Sequence, residues 1–127
     1  MRSFEYTQRV YFSDTDAQGI VYHGRYLDFA EHARTELART FGASGLMGTL
    51  AFVVKRIEID YQKSAVLDDV LTVVTQVEEL GRFSLVFLQT IRRGDEVVCT
   101  LRVKVACVDL ATKHLARLDD RLIEALS

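Results

Sequence analysis

Ser13-Asp14-Thr15-Asp16-Ala17-Gln18-Gly19-Ile20-Val21-Tyr22-His23-Gly24-Arg25-Tyr26 is a turn that runs into the longest helical pattern of the chain. After it, apolar side chains recur at Tyr26, Ala30, Ala33, Leu37 and Phe41, the spacing of one helix face. Asp28, Glu31, Arg34, Thr35, Glu36 and Arg39 take the other faces. The pattern predicts a helix from Gly24 to Phe41, about 27 Å long, closed by Gly42 at the C′ position. Before the turn, Tyr6, Val10 and Phe12 stand among polar neighbours and predict a strand over residues 4–12. Two carboxylates, a histidine and a glycine thus gather where a strand hands over to a helix start. Helix starts carry unpaired N–H groups and partial positive charge, which suit a polarised carbonyl oxygen or an anion.

Beyond the helix the period changes. Residues 42–49, rich in glycine and serine, predict a loop, and four strand patterns follow it. In Ala51–Tyr61, Val53, Ile57, Ile59 and Tyr61 share one face, against Arg56, Glu58 and Asp60 on the other. The turn over Gln62–Asp69 leads to a valine- and threonine-rich strand, Val70–Glu79. Leu80-Gly81-Arg82 connects it to Phe83–Arg92, and Arg93-Gly94-Asp95 makes a hairpin to Val97–Val108. Residues around Asp119–Leu126 predict a last helical turn or two.

One long helix followed by consecutive strands and hairpin turns implies an antiparallel sheet packed on that helix, an α+β domain. A parallel doubly wound sheet would require crossover helices, which this pattern lacks. Apolar Val86, Leu88 and Val98 are expected on the sheet face away from the helix, where a second subunit would cover them.

With 127 residues the chain is expected to form one domain over 1–127. About half of it is apolar and about a quarter charged, and the net charge is −2, so no basic field points to nucleic acid. Apolar runs of a few residues predict no membrane insertion, and Met1-Arg2-Ser3-Phe4-Glu5 reads as a folded start rather than a signal peptide. Cys99 and Cys107 fall on one strand about 26 Å apart, too far to bridge within it. They are expected to be reduced, buried thiols of a cytoplasmic protein. Neither has ligand-like neighbours, and the spacing of Asp14, Asp16 and His23 fits no metal motif, so no metal is expected.

Arg9 through Asp16 and on to Tyr26, with Glu31 beyond, resembles the signature of the hotdog-fold 4-hydroxybenzoyl-CoA thioesterase family. Asp14-Thr15-Asp16, Val21-Tyr22-His23 and Ala33-Arg34-Thr35-Glu36 are nearest to its YbgC-type, Tol-Pal-associated acyl-CoA thioesterase branch. Ala51-Phe52-Val53-Val54, Leu67-Asp68-Asp69 and Ser84-Leu85-Val86-Phe87 add to the likeness, which covers about residues 8–110. The resemblance implies a hotdog fold, a five-stranded antiparallel sheet wrapped round one long helix. It also implies a homodimer made by joining sheets, often a homotetramer, with active sites at the subunit interface.

By the same resemblance Asp16 matches the catalytic carboxylate, and the His23 backbone N–H the donor that polarises the thioester carbonyl. Gly19 matches a small turn residue and Tyr26 the tyrosine of the first helical turn, both at the substrate. Two departures stand out. Arg25 occupies a position where many relatives have asparagine, so the helix must open at His23 or Gly24 without that N-cap. Ser64, in Tyr61-Gln62-Lys63-Ser64, replaces a common proline.

The implied activity is hydrolysis of acyl-CoA to a free carboxylic acid and coenzyme A, without metal or organic cofactor. A thioester carbonyl is already electrophilic, so the reaction needs an activated water or nucleophile, donors for the oxyanion and a dry acyl pocket. Asp16 serves either as nucleophile or as general base. Phe52 and Val54 are the candidates for the acyl pocket, and Ser84 for a contact from a strand start. Arg56, with Lys55, Lys63 and Arg82, is a candidate for the coenzyme A phosphates.

Each residue also has a plainer reading. Asp16 can be a turn aspartate bonded to nearby amides. His23 can be a solvated side chain at a helix start, Ser84 an ordinary strand-edge serine, and the basic residues surface charge. Glu31 is a candidate supporting carboxylate, whereas Asp14 reads as a structural turn residue. Alternatives to the acyl-CoA hydrolase are an aromatic, hydroxybenzoyl-type thioesterase and a non-catalytic hotdog binding acyl-CoA or an acyl carrier protein.

Overall fold

The computed structural model describes residues 2–40 and 50–127, Arg121 by its backbone only. The expected C′ role of Gly42 and the loop over 42–49 lie outside the described residues. Strand β1 (Ser3–Arg9) is followed by a 3₁₀ turn (Phe12–Asp14) and the long helix α1 (Arg25–Thr40). Then come β2 (Leu50–Tyr61), β3 (Val70–Leu80), β4 (Ser84–Arg93), β5 (Glu96–Asp109), β6 (His114–Leu115) and α2 (Asp120–Leu126). The sheet order is β1-β3-β4-β5-β2, every pairing antiparallel. This is the α+β, hotdog-like arrangement expected.

The sheet curves round α1, which buries Tyr26, Phe29, Ala30, Ala33 and Leu37 against it. Phe29 completes the stripe at the i+3 position from Tyr26. Beneath the helix, fully buried Gln89 satisfies both ends of its amide. Its Nε2 donates to Ala30 O and Thr75 Oγ1, each at 2.9 Å, and its Oε1 accepts from Arg34 Nη1 at 2.9 Å. Buried amides persist where every donor and acceptor is paired, so this cluster ties helix to sheet.

Beyond the five expected strands, two-residue β6 pairs with Val108 and Asp109. The opposite edge of β5 is held there by β2, so β6 takes the place that β4 vacates at Ser84. A strand this short has no alternation to read.

Bulges change which face some residues take. A register shift between Val54 and Arg56 puts Phe52 and Val54 opposite core residues Cys107 and Val105, and Ile57 opposite Val103. Val53 therefore does not share the face of Ile57, because one extra residue inverts the parity of the strand. A second shift between Ile91 and Arg92 lifts Val98 out of the ladder with β4 and into the core, fully buried, while its carbonyl accepts the Gln62 and Lys63 amides. The outer face is thus not the apolar surface that Val86, Leu88 and Val98 suggested. It carries ion pairs, Arg102–Glu78 and Arg92–Glu5, each at 2.7 Å, and Val86 lies beside Arg56, Glu58 and Lys104.

Candidate active site

Asp16 stands at the head of a tight hairpin. Thr15 and Val21 form an antiparallel bridge, the Asp16 amide donates to Ile20 O at 3.0 Å, and the Gly19 amide donates to Asp16 O at 2.9 Å. Gly19 has φ +81°, a left-handed conformation that closes this turn and that glycine adopts without Cβ strain. Half-buried Asp16 accepts the Gln18 amide on Oδ1 at 2.8 Å, and among the described residues its Oδ2 takes no hydrogen bond. One carboxylate oxygen is engaged by the turn, and among the described residues the other is open.

The second half of the hairpin leads into α1. Val21 donates to Ala65 O and Tyr22 to Asp14 O, both at 2.9 Å, and Arg25 N reaches back to Tyr22 O at 2.8 Å. The helix therefore opens at Arg25, after Gly24, without a side-chain cap. At Gly24 a Cβ would come within 2.9 Å of the Tyr22 ring, so the glycine makes room for that ring. Tyr22 in turn packs against the His23 ring, tilted by 41° with centroids 4.4 Å apart. Among the described residues the His23 N–H has no acceptor. It is an unpaired donor beside the positive end of a helix, where an oxyanion gains most.

Three side chains brace this arrangement. Arg25, the departure noted above, donates to Ser13 O at 3.2 Å and lies 3.6 Å from Asp14 Oδ1 and 3.1 Å from Asp28 Oδ2. Asp14 accepts the Tyr11 amide at 2.9 Å, the structural turn role expected of it. Tyr26 is buried, and its hydroxyl accepts the Ala65 amide at 3.2 Å. Burial holds that phenol above its ordinary value despite the Ala65 hydrogen bond, so it stays protonated. Its aromatic edge contacts Phe29 and Tyr61.

Tyr61, which the sequence reading left on a strand face, donates its hydroxyl to His23 O at 3.0 Å and lies edge-on to the His23 ring. No local pattern announces a contact between residues 38 positions apart.

The other candidates are dispersed. Phe52 and Val54 line an apolar groove of about 290 Å³ with Glu31, Arg34, Leu37 and Leu126. Along β2 they lie nine and seven residues from Tyr61, about 23–30 Å from the end that touches His23. Arg56 is on the outer face, 3.2 Å from Glu58. Ser84 begins β4, its carbonyl accepting the Gly81 amide at 2.8 Å, at the far end of the sheet from the Asp16 hairpin. The described residues hold no cluster of three or more His, Cys, Asp or Glu able to bind a metal. None of their helices is long and apolar enough to cross a membrane.

Residues 18–100 match the thioesterase superfamily. The chain is 49% identical over 111 residues to the acyl-CoA thioesterase YbgC of Haemophilus influenzae, covering 84% of this chain and 82% of that one. It is 41% identical over 110 residues to the acyl-CoA thioester hydrolase YbgC of an Escherichia coli O6:H1 strain, at the same coverage. A probable thioesterase from Bartonella henselae has a solved structure that superposes with TM-score 0.86 at 34% identity, over 93% of this chain and all of that one. This antiparallel sheet round one long helix agrees with those likenesses, and the chain belongs to the thioesterase superfamily.

Proposed function

We propose that this protein hydrolyses acyl-CoA to a free carboxylic acid and coenzyme A, with Asp16 and the His23 amide as its reacting groups. The observation that carries the reading is that, among the described residues, an open Asp16 oxygen and an unpaired His23 N–H stand on the one short segment that leads into α1. The thioester carbonyl oxygen accepts the His23 N–H, which stabilises the negative charge that develops on attack. Removing such a donor typically costs about 3–4 kcal/mol of transition-state stabilisation. On the general-base route, Asp16 takes a proton from water as the hydroxide adds to the carbonyl, and the tetrahedral intermediate expels the coenzyme A thiolate. On the nucleophilic route, Asp16 adds directly, expels the thiolate and leaves a mixed anhydride for water to open. Neither route asks for a metal or an organic cofactor, since the thioester is itself electrophilic and its thiolate a good leaving group.

The site in this reading is completed by a second copy. Among the described residues strand β2 lies at a free edge of the sheet, twelve residues long, with Val53 and Val54 exposed. An unpaired edge of that length invites another strand. Antiparallel pairing of two β2 edges brings the Tyr61 end of one, and with it His23, beside the Phe52–Val54 groove of the other. The homodimer is therefore the working unit, and a homotetramer its pairing. The two free, buried cysteines agree with a reducing, cytoplasmic setting.

The test is thiol release from acyl-CoA by the wild type and Asp16→Asn in parallel. Asparagine keeps an oxygen for the Gln18 amide, so the hairpin survives, while turnover falls by about 10²–10⁴-fold. Near-normal turnover in the variant overturns the assignment. Aromatic and straight-chain thioesters in the same assay separate the hydroxybenzoyl-type alternative. Binding without thiol release would identify a non-catalytic acyl-CoA or acyl-carrier-protein binder.

A further inference from the structure

Two apolar cavities meet under the helices. The first, about 290 Å³, is the groove of Phe52 and Val54 between α1, β2, β5 and α2. The second, about 230 Å³, lies between β1, β3, α1 and α2, with Phe4, Val77 and Ala125 on its walls. Leu37 and Leu126 line both, so their side chains stand between them. Both leucines are buried, one on α1 and the other on the last turn of α2.

We propose that the first cavity receives the aliphatic tail of the acyl group, and that Leu37 and Leu126 form the wall that limits its length. The proposal rests on the thioesterase reading above and adds to it the residues that select the substrate. The groove is graded in polarity along α1. Its charged lining residues, Glu31 and Arg34, lie on the earlier turns, and Leu37 follows six residues after Glu31, about 9 Å along the axis, where Leu122 and Leu126 close over it. An occupant with a polar head and a linear hydrocarbon tail matches that gradient. Arg34 donates to Gln89 Oε1 at 2.9 Å, so its guanidinium has a buried partner and does not need one from the occupant.

The wall is made of side chains, so substitution can open it. Behind it, the Thr75 hydroxyl on the second cavity already accepts from Gln89, which leaves that polar group satisfied when a hydrocarbon lies alongside. Leu126→Ala removes three carbons from the partition and joins the cavities into one channel.

The experiment compares kcat/KM over a straight-chain acyl-CoA series, and binding of the corresponding free fatty acids by calorimetry, for wild type, Leu126→Ala and Ala38→Leu. Ala38 also lines the groove, and leucine there fills it. Leu126→Ala should extend the longest well-used tail by about three methylenes, the bulk removed. The ratio of kcat/KM for the longer over the shorter substrate should rise by roughly fourfold per added methylene. Ala38→Leu should move the limit the other way, and it decides the matter if Leu126→Ala fails to fold. Unchanged length profiles in folded variants, in both turnover and binding, overturn the wall. A protein that releases no thiol but shows these shifts in fatty-acid binding supports the wall and refutes hydrolysis, so the two failures are told apart.

Discussion

The Tyr61 hydroxyl donates to the carbonyl oxygen of His23 at 3.0 Å, joining the end of β2 to the entrance of α1. It fixes the peptide that follows the His23 amide and so limits how far that donor can swing. Tyr61→Phe removes the tether and keeps the ring contacts with His23 and Tyr26. The bond lies at the surface, so loss of stability should stay near or below about 1 kcal/mol. The expected kinetic result is a fall in kcat of about three- to tenfold with KM little changed, because the donor is loosened and not lost. Equal loss in kcat and gain in KM would mean that Tyr61 binds substrate instead.

Gly19 offers a purely conformational test. A Cβ built there meets nothing within 4 Å, yet its φ is +81°. Gly19→Ala therefore costs backbone strain without a clash, about 1 kcal/mol. Relaxation of that strain rotates the Gly19 N–H off Asp16 O and disturbs the carboxylate beside it. A Tm drop accompanied by a disproportionate fall in turnover is expected, and wild-type turnover at reduced Tm would detach the hairpin from the chemistry.

These two residues also mark where the sequence could be read and where it could not. Gly19 entered through the family resemblance, while α1 and its buried face were legible because helix period is local; the place of β2 beside β5 was not, since no local pattern sets sheet order. Nor was Tyr61, because its partner lies far along the chain. Val53 and Val98 were assigned to the wrong faces since a bulge of one residue reverses alternation without changing composition. Arg56 and Ser84 were chosen by charge and residue type, and only the register of β2 and β4 reveals that the first lies on the outer face and the second at the far end of the sheet.

Cys99 and Cys107 should be chemically silent. Burial pushes the Cys99 thiol up to about 12 and raises Cys107 as well, so at pH 8 neither supplies an exposed thiolate. Ellman's reagent is expected to find no reactive thiol in the native protein and both after unfolding in guanidinium. Turnover should accordingly resist thiol-blocking reagents. Rapid labelling of the native protein would show that β5 opens locally.

Acid sensitivity should begin at Asp69, which closes the loop against the Asp16 hairpin. Its carbonyl accepts the Val10 amide at 2.8 Å, and Ala65 in the same loop accepts the Val21 amide. Desolvation works to raise the Asp69 carboxyl, but the Val66 amide at 2.9 Å and the Arg93 guanidinium at 2.7 Å outweigh it and hold it below its ordinary value. A carboxyl depressed on folding contributes stability that is fully present above its unfolded value of about 4. That contribution is lost as pH falls through the folded value. Asp69→Asn keeps an acceptor for Val66 but drops the charge facing Arg93. Urea unfolding across a pH series should therefore show wild type more stable than the variant at neutral pH, with the gap closing below about pH 4. A gap that stays constant with pH would assign the loop to packing alone, and the Arg93 pair would have no part in holding the hairpin that carries Asp16.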